Sequence, residues 1–151
     1  MELNNPNNLQ LPSHCDPGKV QRVIDRWAHG KCPLNAQDFI DCTHRMGVMI
    51  DLMLAQGIQE SALGTVGRRP LETKNIFDVG NVDDGSNHTF GQWHDGLYAY
   101  AHLMATSYGC TAEEVCGNNF LNKHNGGHYA SDPNYPQEIW NLVLTIRGML
   151  Q

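Results

Sequence analysis

Residues 50–65 of the 151-residue chain read IDLMLAQGIQESALGT. An apolar stripe of Phe39, Met46, Met49, Ile50, Met53 and Leu54 leads into this stretch and runs toward Ala55 at helical spacing. Asn35 with Asp38 three residues later supplies the start signal, so the spacing predicts one long apolar helix opening at Asn35. The methionines on it read as core filler rather than a binding surface. Glu60 stands at the end of this helix, the most apolar of the chain.

On the N-terminal side, Asp16-Pro17 offers a cap followed by proline at the first helical position. Val20, Val23, Ile24 and Trp27 then share one helical face, and Gly30 stops the helix. Residues 1–15 are rich in Asn and Pro and read as an extended arm. On the C-terminal side, residues 64–92 are glycine-rich; Val79-Gly80-Asn81 and Asp84-Gly85-Ser86 carry turn chemistry and predict loops with a short hairpin. Trp93, Leu97, Tyr100, Ala101 and Met104 mark another helix that ends near Tyr108-Gly109. Thr111 with Glu114 forms a capping box, and Asp132-Pro133 opens a last helix with Ile139, Leu142, Val143 and Ile146 inward. The fold class is therefore mainly α. One domain over 16–151 carries a small irregular or β-like insertion at about 64–92, and there is no internal repeat.

Sixteen acidic against ten basic residues leave a net charge of −6, which disfavours electrostatic capture of nucleic acid. No apolar run approaches the roughly 20 residues of a membrane span, and the N-terminus lacks the basic and apolar regions of a signal peptide. The five cysteines, Cys15, Cys32, Cys42, Cys110 and Cys116, contain no CxxC pair. They read as free buried thiols or a structural disulfide, and a zinc site from Cys15, Cys32, Cys42 and His44 matches no common finger spacing.

Three places carry candidate chemistry. A carboxyl at the end of an apolar helix is partly desolvated, which raises the pKa of Glu60 and suits it to protonating a leaving oxygen. Asp83-Asp84, with Asp78 nearby, can activate water or stabilise a cationic centre, although paired acids in a loop are more often a polar turn. Tyr129 and Tyr135 flank the start of the last helix, where a hydroxyl can point into a cleft or a ring can simply pack. His124 and His128 are separated by Gly126-Gly127, against a helical metal pair. Trp93, His94 and Tyr98 can offer sugar-stacking faces, a role that aromatics at helical spacing seldom have.

Taken together, AQGIQESALGT (55–65), NIFDVGNVDDGS (75–86) with TFGQWHDGLYAYAHLM (89–104), and NNFLNKHNGGHYASDPNYPQEI (118–139) resemble the glucosaminidase domains of glycoside hydrolase family 73. That likeness covers roughly residues 50–146, in order; residues 1–45 share only a helical character with it. It implies a lysozyme-like fold and a peptidoglycan-cleaving endo-β-N-acetylglucosaminidase that needs no cofactor or metal. The family's general acid falls on Glu60, its cleft-lining Asn-Leu-Phe-type segment on Asn75, Ile76 and Phe77, and its Tyr-Ala-Thr-Asp-Pro-x-Tyr segment on Tyr129 to Tyr135, with Ser131 replacing Thr. Tyr129 is thereby implied near the reacting sugar, with Phe77, Trp93 and Tyr135 as contacts to the glycan. Many members carry a second Glu in the β-like lobe, but residues 75–90 contain none. Asp83 or Asp84 is expected in that role, or else the substrate's own acetamido group.

The resemblance points to hydrolysis of the β-1,4 bond after N-acetylglucosamine in glycan strands. A muramidase or lytic transglycosylase is the neighbouring alternative; a glycan-binding or structural component of a phage virion or secretion apparatus is the non-enzymatic one. The substrate implies action outside the cytoplasm. Without a visible signal peptide, release by a phage, attachment to a virion or delivery by a secretion system is expected.

Overall fold

The computed structural model describes residues 16–80 and 89–151. The predicted arm over 1–15, Cys15, Asp83, Asp84 and most of the expected hairpin lie outside them. The centre of the molecule is helix α3 (Ile50–Ser61), ten of whose twelve residues are buried. A helix apolar around most of its circumference must be enclosed by others, and here α7 (Tyr135–Leu150) packs along it most extensively. Helix α1 (Pro17–Ala28) lies on α2 (Ala36–Met46) and α7, α5 (Trp93–Leu103) packs on α2, and α6 (Ala112–Gly117) packs on α7. No helix among the described residues is long and apolar enough to cross a membrane.

The start signals act as read. Asp16 Oδ1 accepts from the Lys19 N–H at 3.1 Å, and Asn35 and Asp38 exchange bonds of 3.0 and 2.8 Å in a reciprocal capping box. The single long helix predicted from Asn35 is instead two helices. Gly47 turns left-handed at φ 78° and its N–H closes on the Thr43 carbonyl at 2.9 Å, before α3 restarts at Ile50. Val48 and Met49 stay buried through the break, so the apolar stripe continues where the helix does not. The last helix also starts later than Asp132-Pro133 suggests. The Asp132 carboxylate and carbonyl bind the N–H groups of Asn134 and Tyr135, and Pro136 occupies the first turn.

The mainly helical class holds, with no strand among the described residues and one isolated bridge, between Leu121 and His128. The described part of the expected β-like insertion is turns around the short helix α4 (Arg68–Thr73). An i,i+4 pair of Arg68 with Glu72 and a bond from the Thr73 hydroxyl to the Arg69 carbonyl hold that helix. After α5 the chain widens into a π turn over Met104–Tyr108 and closes at Gly109. Thr111 caps α6, while the Glu114 carboxylate goes to Lys123.

Two packing features position the site. Buried charge ties three helices together: Arg147 on α7 bonds Asp51 on α3 at 2.7 Å and meets Glu113 on α6. Gly96 on α5 lies so close to the chain before the Asn75 turn that an added Cβ would sit 2.7 Å from the Lys74 carbonyl oxygen. Backbone cannot yield as a flexible side chain does, so Gly96→Ala should lower stability by about 1–3 kcal/mol in urea denaturation. A variant as stable as the parent would show that α5 is free to draw back.

Cys32, Cys42, Cys110 and Cys116 are all free thiols, so among the described residues the cysteines are buried or half-buried side chains rather than disulfides.

Candidate active site

Glu60 occupies the last turn of α3, and the local sequence fixes where that turn ends. Ala62, Leu63 and Gly64 are all left-handed, with φ 46°, 58° and 83°, and the Leu63 N–H returns to the Gly57 carbonyl at 2.9 Å. A Cβ on Gly57 would lie 2.8 Å from Leu63 Cδ2 and 3.2 Å from Phe77, so glycine at this position lets the returning chain pack down. Ser61 Oγ donates to the Ile76 carbonyl and accepts from the Gly64 N–H, both at 2.8 Å. The Glu-Ser pair thus places the acid and pins its helix to the segment 75–77.

Glu60 is mostly buried, and burial pushes its carboxyl up to about 7. The Tyr135 hydroxyl opposes this by donating to the carboxylate, the Asp78 charge adds to it, and the Arg69 cation opposes it. Tyr135 is itself supplied from the core. The Tyr100 hydroxyl donates to Gln56 Oε1 at 2.5 Å, and Gln56 Nε2 donates to the Tyr135 oxygen at 3.2 Å. The only proton on that oxygen is therefore left to point at Glu60. Burial holds the Tyr100, Tyr129 and Tyr135 hydroxyls protonated, far above the ordinary phenol range.

Tyr129 stacks on Tyr135 with ring centroids 5.8 Å apart, meets Tyr108 and Phe120 edge-on, and donates to the Phe77 carbonyl at 2.9 Å. Both tyrosines expected from the sequence thus belong to one cluster with Glu60. Asn75 and Phe77 join it from behind. The Asn75 amide exchanges bonds with the Val79 backbone at 2.9 and 3.0 Å, and the Phe77 ring stacks on Tyr100 at 3.9 Å. Both are fully buried. In this structure both side chains face inward and brace the wall. Trp93 opens α5, half-buried against the core, and takes no part in the bonds around Glu60. A cavity of about 580 Å³ opens beside Tyr135, lined also by Phe120, His128, Ser131 and Asp132; Glu60 does not line it.

Elsewhere the weak candidates find ordinary partners. His124 and His128 bond the Thr106 and Asn119 carbonyls at 2.8 and 2.9 Å, and His94 bonds Asp38 at 2.8 Å. Among the described residues no group of three or more His, Cys, Asp or Glu is placed to hold a metal ion. Gln56, Tyr100 and Arg69 were not singled out by sequence reasoning. Gln56 had a signal: an amide in an apolar helix, one turn before the acid and on its face, whereas Gln59 is exposed.

The sequence pattern of the glucosaminidase family, described as mannosyl-glycoprotein endo-beta-N-acetylglucosaminidase, matches residues 36–147, which takes in all of α2. Comparison with curated protein sequences gives no significant match. A chain in the solved structure of a type VI secretion system effector–immunity complex from Pseudomonas protegens superposes with a TM-score of 0.53 at 15% identity, over 90% of this chain and 96% of that one. At that identity the likeness is one of fold.

Proposed function

The chain belongs to the glucosaminidase family of glycoside hydrolases, and from that premise we propose that it cleaves the β-1,4 bond after N-acetylglucosamine in peptidoglycan, with Glu60 as general acid. The observation that carries this reading is a mostly buried carboxyl raised to about 7, with a tyrosine hydroxyl aimed at it. Such a group keeps a proton near neutral pH yet can give it up.

Glu60 donates its proton to the glycosidic oxygen as the bond to the anomeric carbon breaks and its electron pair passes to that oxygen. The oxygen of a water molecule then bonds to the anomeric carbon, and the proton it sheds restores the acid, so one water is consumed. Tyr135 steadies the transient carboxylate, Tyr129 walls the reacting sugar, and Trp93 offers a face to a neighbouring ring. The substrate lies outside the cytoplasm, and the effector setting of the fold neighbour favours delivery by a secretion system over release by a phage.

Purified sacculi and a high-mannose glycoprotein, each incubated with the protein and followed by mass spectrometry, test this. Reducing-end N-acetylglucosamine from sacculi is the expected product. Reducing-end muramic acid would mean a muramidase and anhydro ends a transglycosylase. Binding without solubilisation would mean a glycan-binding module.

A further inference from the structure

No step of the proposed hydrolysis uses the cavity beside Tyr135, yet the backbone along one side of it is strained. Asn119 and Phe120 are both left-handed, with φ 59° and 54°. Non-glycine residues seldom adopt this conformation, and it persists where the surroundings over-determine it, often at ligand clamps. Here the His128 ring bonds the Asn119 carbonyl at 2.9 Å, and the Tyr129 N–H bonds the Phe120 carbonyl at 3.0 Å. At about 580 Å³ the cavity falls within the roughly 300–1,000 Å³ that ligand pockets span. A second recess of about 290 Å³ continues it past Asn119, Pro133 and Pro136 to Gln137 and Trp140.

The lining joins apolar surface to unspent acceptors. Phe120, Pro133 and Pro136 offer the apolar part. The carbonyl that His128 Nδ1 meets can only accept, so Nδ1 carries the proton and Nε2 of the neutral ring is an acceptor. Asp132 spends Oδ1 on the Asn134 N–H at 2.9 Å, which leaves it Oδ2. Among the described residues that line the cavity, Asp132 carries the only fixed charge. An occupant with apolar parts, N–H or O–H donors and a cationic group suits this lining.

We propose that this cavity takes the peptide stem of the muramic acid that leaves during hydrolysis, with the ammonium of the stem's diamino acid at Asp132. This rests on the reading of Glu60 as the acid that cleaves after N-acetylglucosamine. In that cleavage the leaving oxygen is O4 of the muramic acid, and the stem is joined through the lactyl ether at the adjacent O3. A stem therefore starts one ring carbon away from the position that Glu60 protonates. Tyr135 spans the same gap, because its hydroxyl donates to Glu60 and the residue lines the cavity. The glycan backbone has to pass Glu60, which is not part of the lining, so only a branch of the strand can enter. The strand's branches are acetamido groups and peptides. An acetamido group is far too small to fill this volume; a peptide of several residues fills it. At Asp132 a stem carboxylate would meet like charge, whereas an ammonium meets its complement.

Two soluble substrates test this with the full chain: glycan strands that carry stems, and the same strands after an amidase has removed them. Stem-bearing strands should be cut with kcat/KM about tenfold or more above stem-free ones, because binding a remote part of the substrate serves the reacting bond. Ser131 is exposed, so Ser131→Trp should fold while occupying part of the cavity, and it should erase that preference. NMR shift mapping with a soluble stem peptide needs no turnover and should move the amide signals of Asn119, Phe120, Ser131 and Asp132. Asp132→Asn keeps an acceptor for the Asn134 N–H and removes the charge. It should weaken binding of the stem peptide several-fold, and acetylating the peptide's side-chain amine should do the same to the parent. Equal turnover of the two strands by the parent, unmoved amides, or undiminished binding in Asp132→Asn overturns the proposal. Stem binding at these amides with neither strand cut would instead overturn the reading beneath it.

Discussion

Replacing Glu60 by Gln is expected to slow solubilisation of purified cell walls on the order of 10²–10⁴-fold, the range that a positioned acid contributes. The same variant should be more stable than the parent by a margin that grows as pH rises from 4.5 to 7 and levels off above it. Burial raises the Glu60 carboxyl from 4.5 to about 7 in the folded chain. The stability contributed by the protonated group is complete below the unfolded value of 4.5, and it is lost as pH rises through 7. Above that, the folded protein holds a carboxylate where burial disfavours one, and Gln has no such cost. At pH 8 the gain should be on the order of 2 kcal/mol, or roughly 4–8 °C in melting temperature. At pH 4.5 the melting temperatures should nearly coincide. Retained activity, or equal stabilisation at both pH values, would separate Glu60 from the role given to it.

The largest structural effect is expected at Arg147. Its guanidinium serves Asp51 and Glu113, and Asp51 is 1% exposed. Arg147→Met strands a buried carboxylate, which costs about 3–5 kcal/mol. Burial already raises the Asp51 pKa, with Arg147 opposing it, so the arginine's loss drives the carboxyl further up. Urea denaturation should therefore show a large loss at pH 8 that shrinks toward pH 5. Asp51→Asn combined with Arg147→Met should recover part of it, because Asp51 is then uncharged and only Glu113, 29% exposed, is left without its cation. A double variant as unstable as the single one would mean that packing over Trp140, whose ring lies 5.5 Å from the guanidinium carbon, matters more than charge. Activity should fall with stability, since the same two helices carry Glu60 and Tyr135.

Local chemistry made much of this legible in advance. Asp16, Asn35 and Thr111 cap helices because a short side-chain acceptor before an apolar stripe has few other uses. Glu60, Tyr129 and Tyr135 were found on their motifs and do come together. The break at Gly47 escaped, because Val48 and Met49 bury in extended backbone as they would in a helix, and apolar periodicity cannot tell the two apart. The start of α7 escaped for a similar reason, since both Asp132-Pro133 and Asn134-Tyr135-Pro136 satisfy the signal. Gln56 and Arg69 act through partners 79 and 9 residues away, and such pairings are properties of the packed chain. That Asn75 and Phe77 turn their side chains to the inner side of the wall is a property of packing that their motif does not carry.

The four described thiols bear on how this fold meets an oxidising compartment. Burial raises Cys32 to about 11 and Cys42 and Cys116 to about 12, and it raises Cys110 as well. At pH 7 a thiol of pKa 11 is ionised about one part in 10⁴ and one of pKa 12 about one part in 10⁵, against roughly one in 10² for an ordinary cysteine. Thiolate is the species that attacks disulfides and oxidants, so exchange at these positions slows, though by less than that proportion because a more basic thiolate is the better nucleophile. The helical core therefore assembles without an oxidant and is slow to be altered by one.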